Sequence, residues 1–295
     1  MRHPTPTSHD SHDSPGAAAA LVLQAHGLGL ARRRAGAERQ AVLQGADLAL
    51  RAGEVVMLMG ANGAGKSTLL AVLAGDLAAT EGEVRLHGRP LGAWPARELA
   101  RLRAVLPQRA GLSAAFLARE VVRLGCWARA LPRPAAEAVV EAALAAAGAR
   151  ALADRPVPEL SGGEQARVHL ARVLAQVWPE PGPEGTPAGG GLPPCLLLDE
   201  PCASLDPAQQ HAVCATVRDF ARASGAAVLM SMHDVNLAAQ YADRLLVLHG
   251  GRVAHEGAPA QVLRQPAVAA NFGVGISCWA PADGIRAAAT HRTHG

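Results

Sequence analysis

The segment Gly60-Ala61-Asn62-Gly63-Ala64-Gly65-Lys66-Ser67-Thr68 has the residue types and spacing of a phosphate cradle. Its glycines let backbone N–H groups turn inward around β- and γ-phosphates, and a helix beginning behind them adds its positive end. Lys66 supplies a compact ammonium, where the wide, planar guanidinium of an arginine would fit poorly. Ser67 offers a hydroxyl to Mg²⁺. Lys66 is the sole lysine among 28 basic residues, the rest being arginine. A base-reading Asn-Lys-x-Asp loop of the kind that selects guanine therefore does not occur, and ATP is the expected nucleotide.

A second chemical group is Asp199-Glu200, directly after the apolar run Cys195–Leu198. A carboxylate at the tip of a buried strand can hold Mg²⁺, directly or through water. The neighbouring Glu200 can polarise an attacking water as a general base. A third is Leu160-Ser161-Gly162-Gly163-Glu164-Gln165. Ser161 is placed as an N-cap, and the two glycines permit close backbone approach to an anion.

Elements must position these groups. Val55–Met59, Cys195–Leu198 and Ala227–Met230 read as buried strands, each short, apolar and ended by polar residues. Helical patterns over Thr68–Leu77 and Glu164–Val177 lie between them, so strands alternating with helices predict a largely parallel, doubly covered α/β sheet. Residues from about 93 to 158 are rich in Ala and Arg and read as an inserted, all-helical subdomain. The Pro/Gly-rich stretch 179–194 reads as an exposed loop. Residues 1–18 and 275–295 are expected as tails around a domain spanning 19–274.

Composition narrows the functional classes. Of 295 residues, 49% are hydrophobic and 18% charged, an ordinary globular balance. Aromatics make up 3%, too few for the stacking platforms of a single-strand nucleic-acid binder, and a net charge of +3 leaves no basic footprint. No apolar run reaches the length of a membrane span. The five cysteines lack a CxxC pair or regular spacing, and are expected as packing residues in a reduced compartment.

Taken in order, the cradle, the helical block, the Ser161–Gly163 segment and Asp199-Glu200 resemble an ATP-binding cassette (ABC) ATPase over roughly residues 20–265. The resemblance implies a P-loop NTPase core with a mostly parallel sheet, an antiparallel β edge and an inserted α-helical subdomain. It also implies further roles. Gln108, in Leu106-Pro107-Gln108, matches the Q-loop glutamine that senses Mg²⁺ and the γ-phosphate. Ser161, Gly162 and Gly163 match the signature that caps a γ-phosphate held by a partner subunit. Asp206 in Ser204-Leu205-Asp206 matches the D-loop, and His233 the switch histidine. The family's usual Gln after the glycines is Glu164 here. The aromatic that often stacks on adenine is absent before Lys66, leaving Arg32, Arg33 or Arg34 as candidates for a guanidinium stack.

A finer similarity, carried by His233–Asp243, Leu248–Val253, Ala171–Trp178 and the extra loop before Cys195, is to importers of iron chelates, cobalamin and haem, and within them to haemin importer ATPases. It implies ATP and Mg²⁺ as cofactors, a homodimer, two polytopic permease subunits, an indirectly contacted periplasmic binding protein and a place on the cytoplasmic face of the inner membrane. The permease would be gripped around Gln108–Arg123. A siderophore or cobalamin importer, an exporter subunit and a soluble non-transport ABC ATPase are the alternatives.

Overall fold

A computed structural model describes residues 19–33, 39–108, 115–179, 191–203, 205–272, 275–279 and 287–291. In chain order the elements are β1 (Leu21–Arg33), β2 (Arg39–Arg51), β3 (Val55–Met59), α1 (Lys66–Ala74), β4 (Glu81–Leu86), β5 (Arg89–Pro90), α2 (Ala96–Leu102) and β6 (Arg103–Leu106). Then come α3 (Ala118–Gly125), α4 (Arg133–Ala146), α5 (Gly162–Gln176), β7 (Cys195–Leu198), α6 (Pro207–Ser224), β8 (Ala227–Ser231) and α7 (Val235–Tyr241). The chain continues through β9 (Arg244–His249), β10 (Arg252–Gly257), α8 (Pro259–Val262), α9 (Pro266–Phe272), β11 (Gly275–Trp279) and β12 (Ala287–His291).

The main sheet has the order β10-β9-β3-β8-β7-β6. Its neighbours are parallel except for β10, which pairs antiparallel with β9. The pleat of the central strands explains why both faces are covered. Val55, Met57 and Met59 of β3 enter one apolar core, whereas Val56 and Leu58 enter another. Strand β7 divides the same way, with Leu196 and Leu198 on one side and Cys195 and Leu197 on the other. Continuous apolar runs are what a sheet buried on both faces requires. One core is completed by α3, α4, α5 and α6; the other is completed by α1 and by the antiparallel sheet β2-β1-β4-β5. Burying each large side chain contributes roughly 1.5–3 kcal/mol, so the strand ends that carry polar groups stand on a rigid base.

Arg244 ties the two sheets together. Its guanidinium pairs with Glu54 at 2.8 Å, with Glu256, and with the Ala49 carbonyl on β2.

Residues 93–158 depart from the all-helical expectation. Arg103–Leu106 is a strand, β6, at the edge of the main sheet, paired in parallel with β7 from Arg103↔Cys195 to Leu106↔Leu198. Ala104 and Leu106 are buried while Arg103 and Val105 are half-buried. That period-two signal lasts four residues and is swamped by helix-forming Ala and Arg on both sides. Within the expected C-terminal tail, β11 and β12 pair as an antiparallel hairpin. Residues 1–18, Arg34, Ser204 and most of the 179–194 loop lie outside the described residues.

Cys126, Cys195, Cys202 and Cys214 are buried and free, with burial pushing the Cys195 thiol up to about 12. Among the described residues no helix is long and apolar enough to cross a membrane.

Candidate functional site

Parallel pairing puts the carboxyl ends of β3, β6, β7 and β8 on one edge of the main sheet. The phosphate cradle follows β3, Gln108 follows β6, Asp199 and Glu200 follow β7, and His233 follows β8. Open α/β sheets gather their ligand-binding groups at this edge because every strand-to-helix turn emerges there.

The cradle's backbone shape depends on glycine. Gly60 has φ +151°, and a Cβ there would sit 2.5 Å from the Leu248 carbonyl oxygen. Gly65, at φ +106°, caps α1 in a left-handed conformation and faces the Val42 carbonyl. The chain can thus double back and start a helix at Lys66, leaving the first N–H groups of α1 without helical acceptors.

Lys66 is buried, and its Nζ donates to the carbonyls of Gly60 at 2.8 Å and Ala61 at 3.3 Å. Burial lowers the pKa of the ammonium, and the charges of Glu200 and Asp199 oppose that shift. A cavity of about 280 Å³ opens in front of it, lined by Val42, Asn62, Gly63, Gly65, Lys66, Ser67, Thr68, Gln108 and Glu200.

Glu200, one of the lining residues, is held by two others of the expected site. Gln108 Nε2 donates to its Oε2 at 2.9 Å, and His233 Nε2 lies 2.6 Å from its Oε1. Burial works against ionisation of Glu200. The hydrogen bonds from His233 and Gln108, with the positive charge of Lys66, outweigh it and hold the carboxyl below its ordinary value. The residue has φ +50°, a left-handed conformation that costs a non-glycine about 1–2 kcal/mol. Asp199, one residue earlier, is buried at the tip of β7, and its backbone N–H donates to the Leu106 carbonyl at 2.8 Å. Asp199 Oδ1 accepts from Ser231 Oγ at 2.7 Å.

These residues suit a Mg²⁺–nucleotide. Ser67, exposed at the start of α1, and Gln108 line a pocket that also holds the Lys66 ammonium, and their oxygens are hard donors, as is the buried carboxylate of Asp199, the residue before the pocket-lining Glu200. Among the described residues no group of three His, Cys, Asp or Glu side chains is placed to cage a metal. An ion shared with substrate phosphates needs no such cage.

The Ser161–Gly163 segment and Asp206 belong to a different neighbourhood. Ser161 caps α5 through a capping box: Glu164 N–H donates to Ser161 Oγ at 3.3 Å, and Ser161 N–H donates to Glu164 Oε2 at 2.8 Å. The Ser161 backbone N–H first, and then its hydroxyl, hold the Glu164 carboxyl below its ordinary value. Asp206 caps α6, its Oδ1 accepting from Gln209 N–H at 2.9 Å. Neither segment lines the cavity in front of Lys66.

Two neighbours of the site were not singled out by sequence. Val42 lines the cavity from β2, but an isolated Val in a long amphipathic strand carries no distinguishing signal. Ser231 was discernible in principle, as the polar residue ending the otherwise apolar strand Ala227–Ser231. The side chains of Arg32 and Arg33 lie outside the described residues.

Comparisons with known proteins agree with this geometry. The profile described as "ABC transporter" matches residues 43–178. The chain is 50% identical over 235 residues to the "Hemin import ATP-binding protein HmuV" of Pseudomonas entomophila, covering 80% of this chain and 88% of that one. It is 46% identical over 255 residues to the protein of the same name from Pseudomonas fluorescens strain Pf0-1, covering 86% and 94%. Among solved structures, the dimeric post-hydrolysis state of the ATP-binding cassette MJ0796 bound to ADP and Pi superposes with a TM-score of 0.69 at 25% identity, over 80% of this chain and 98% of that one. With a cradle, a paired acid and a cavity at the carboxyl edge of its sheet, and with relatives of this similarity along most of its length, the chain belongs to the ABC transporter ATPases.

Proposed function

We propose that this chain is the ATP-hydrolysing subunit of an importer that moves haemin across the bacterial inner membrane. The observation that carries the cargo is its 46–50% identity, along most of its length, to proteins named for hemin import. The subunit would work at the cytoplasmic face as a pair of copies, attached to two polytopic permease subunits and served indirectly by a periplasmic binding protein. Leu124 and Trp127 are exposed apolar residues at the end of α3 and just beyond it, and they suit a permease contact.

The chemistry follows from the carboxyl edge of the sheet. Lys66 and the backbone N–H groups of Gly60–Thr68, with Asn62 and Ala64 among them, hold the β- and γ-phosphates. Ser67, Asp199 and Gln108 would hold Mg²⁺, which when bound neutralises charge on the phosphate oxygens. Glu200, kept ionised by its partners, accepts the proton of a water aimed at the γ-phosphorus. The bond to the leaving oxygen of ADP then breaks and inorganic phosphate is released. His233 gives up its contact with Glu200 to donate to the γ-phosphate oxygens as charge develops there. Ser161, Gly162 and Gly163 of a second copy close the site from the far side, with Asp206 at the junction between copies.

Reconstitution of the chain with its permease and binding protein in vesicles tests the cargo. ATPase activity should be stimulated by haemin; stimulation by a ferric siderophore or by cobalamin, with none by haemin, would overturn the assignment.

A further inference from the structure

Ser231 is the last residue of β8, fully buried, and on the same face of the strand as Ala227 and Leu229. That face looks toward α1 and the cradle. Its hydroxyl is used twice. Oγ donates its one proton to Asp199 Oδ1 at 2.7 Å and accepts the Glu200 backbone N–H at 2.8 Å. A hydroxyl has one donor and two acceptor positions, so both bonds are made at once without conflict. A single side chain on β8 therefore grips, from the neighbouring strand, the two consecutive acids at the end of β7.

The grip matters because Glu200 is held in a left-handed backbone conformation, φ +50°. A non-glycine residue stays there only when its surroundings over-determine it. The Ser231 hydroxyl satisfies the backbone N–H of Glu200 itself, while Gln108 and His233 hold the carboxylate beyond it. The bond to Asp199 occupies one carboxylate lone pair of Oδ1 and restrains the orientation of the group.

We infer that Ser231 is a positioning residue for ATP hydrolysis, setting the backbone of Glu200 and the orientation of Asp199 through one shared hydroxyl. The inference rests on the roles proposed above for those two acids. It reaches the reacting atoms only through them.

Steady-state hydrolysis by the purified full chain at saturating Mg-ATP tests it. Ser231→Ala removes both bonds with little change in volume, and should lower kcat about tenfold while leaving ATP affinity within about twofold. Ser231→Thr keeps the hydroxyl and should recover kcat to within about threefold of the native value. Should threonine be too large for the buried site to fold, Ser231→Cys, nearly isosteric with a weak donor and acceptor, should fall between the alanine variant and the native chain. Because Ser231 acts through Glu200, adding Ser231→Ala to Glu200→Gln should produce little further loss of the residual turnover.

Native kcat in Ser231→Ala would overturn the inference. So would a loss that adds in full to that of Glu200→Gln, or equal falls in kcat and ATP affinity that no hydroxyl-bearing variant restores. Native turnover in Glu200→Gln alone would instead remove the proposed role of Glu200, and is distinguishable because it does not involve Ser231.

Discussion

The carboxyl edge of the main sheet and the N-terminus of α5 both present groups suited to a phosphate, yet they are built differently. At the sheet edge, residues far apart in sequence converge: Lys66, Gln108 and Glu200 line one cavity, and His233 reaches Glu200 at 2.6 Å. At α5, Ser161 and Glu164 satisfy each other within four residues, and the segment lines no part of that cavity. The first region is held by long-range sheet pairing and the second by local capping. A local cap needs no ligand to keep its shape, so it can be carried on a helix and offered to a nucleotide held elsewhere.

The two regions should therefore fail in different ways. The largest effect is expected at the cradle. Lys66→Arg, which keeps the charge but replaces a point ammonium by a planar fork in a buried position, should lower kcat/KM at least about 100-fold. Equilibrium nucleotide binding and initial rates check this, and near-native values for both would break the cradle assignment. Next is the signature segment. Ser161→Arg should abolish most turnover, by about tenfold or more, yet leave ATP binding to the isolated chain within about threefold, because the segment does not touch the chain's own cavity. Parallel measurements of hydrolysis and binding separate the two; loss of binding in step with turnover would erase the contrast.

A smaller effect concerns stability. The Glu200 carboxyl is held below its ordinary value of 4.5. Its ionised form thus stabilises the fold at pH above that unfolded-state value, and the contribution is lost as pH falls through the lower folded-state value. Thermal melts of the native chain and of Glu200→Gln should differ by a margin that shrinks as pH falls below 4.5. A margin that stayed constant or widened on acidification would contradict the sign.

Much of this division was legible in the sequence. The three central strands, the helix starts behind Lys66 and Ser161, and the pair Asp199-Glu200 were read from apolar runs and punctuation, and the structure puts these elements where expected, whereas Gln108 and His233 were reached only through the family resemblance. Strands β1 and β2 carry Gln, His and Arg among their apolar residues, and their antiparallel pairing leaves no short-range mark. Strand β6 was hidden by its Ala- and Arg-rich surroundings. Ser231 shows the limit most clearly. A serine ending a strand is visible, but its simultaneous grip on Asp199 and Glu200 exists only after β7 and β8 pair.

The contrast between the regions comes to rest on one point: a cavity that binds ATP in one copy and a signature segment that closes it from another. Sedimentation equilibrium of the Glu200→Gln chain, with and without Mg-ATP, measures this most directly. The account predicts a species at the chain mass of 30.3 kDa without nucleotide and at twice that mass with it. A Glu200→Gln chain that binds ATP with native affinity and remains at 30.3 kDa would contradict it.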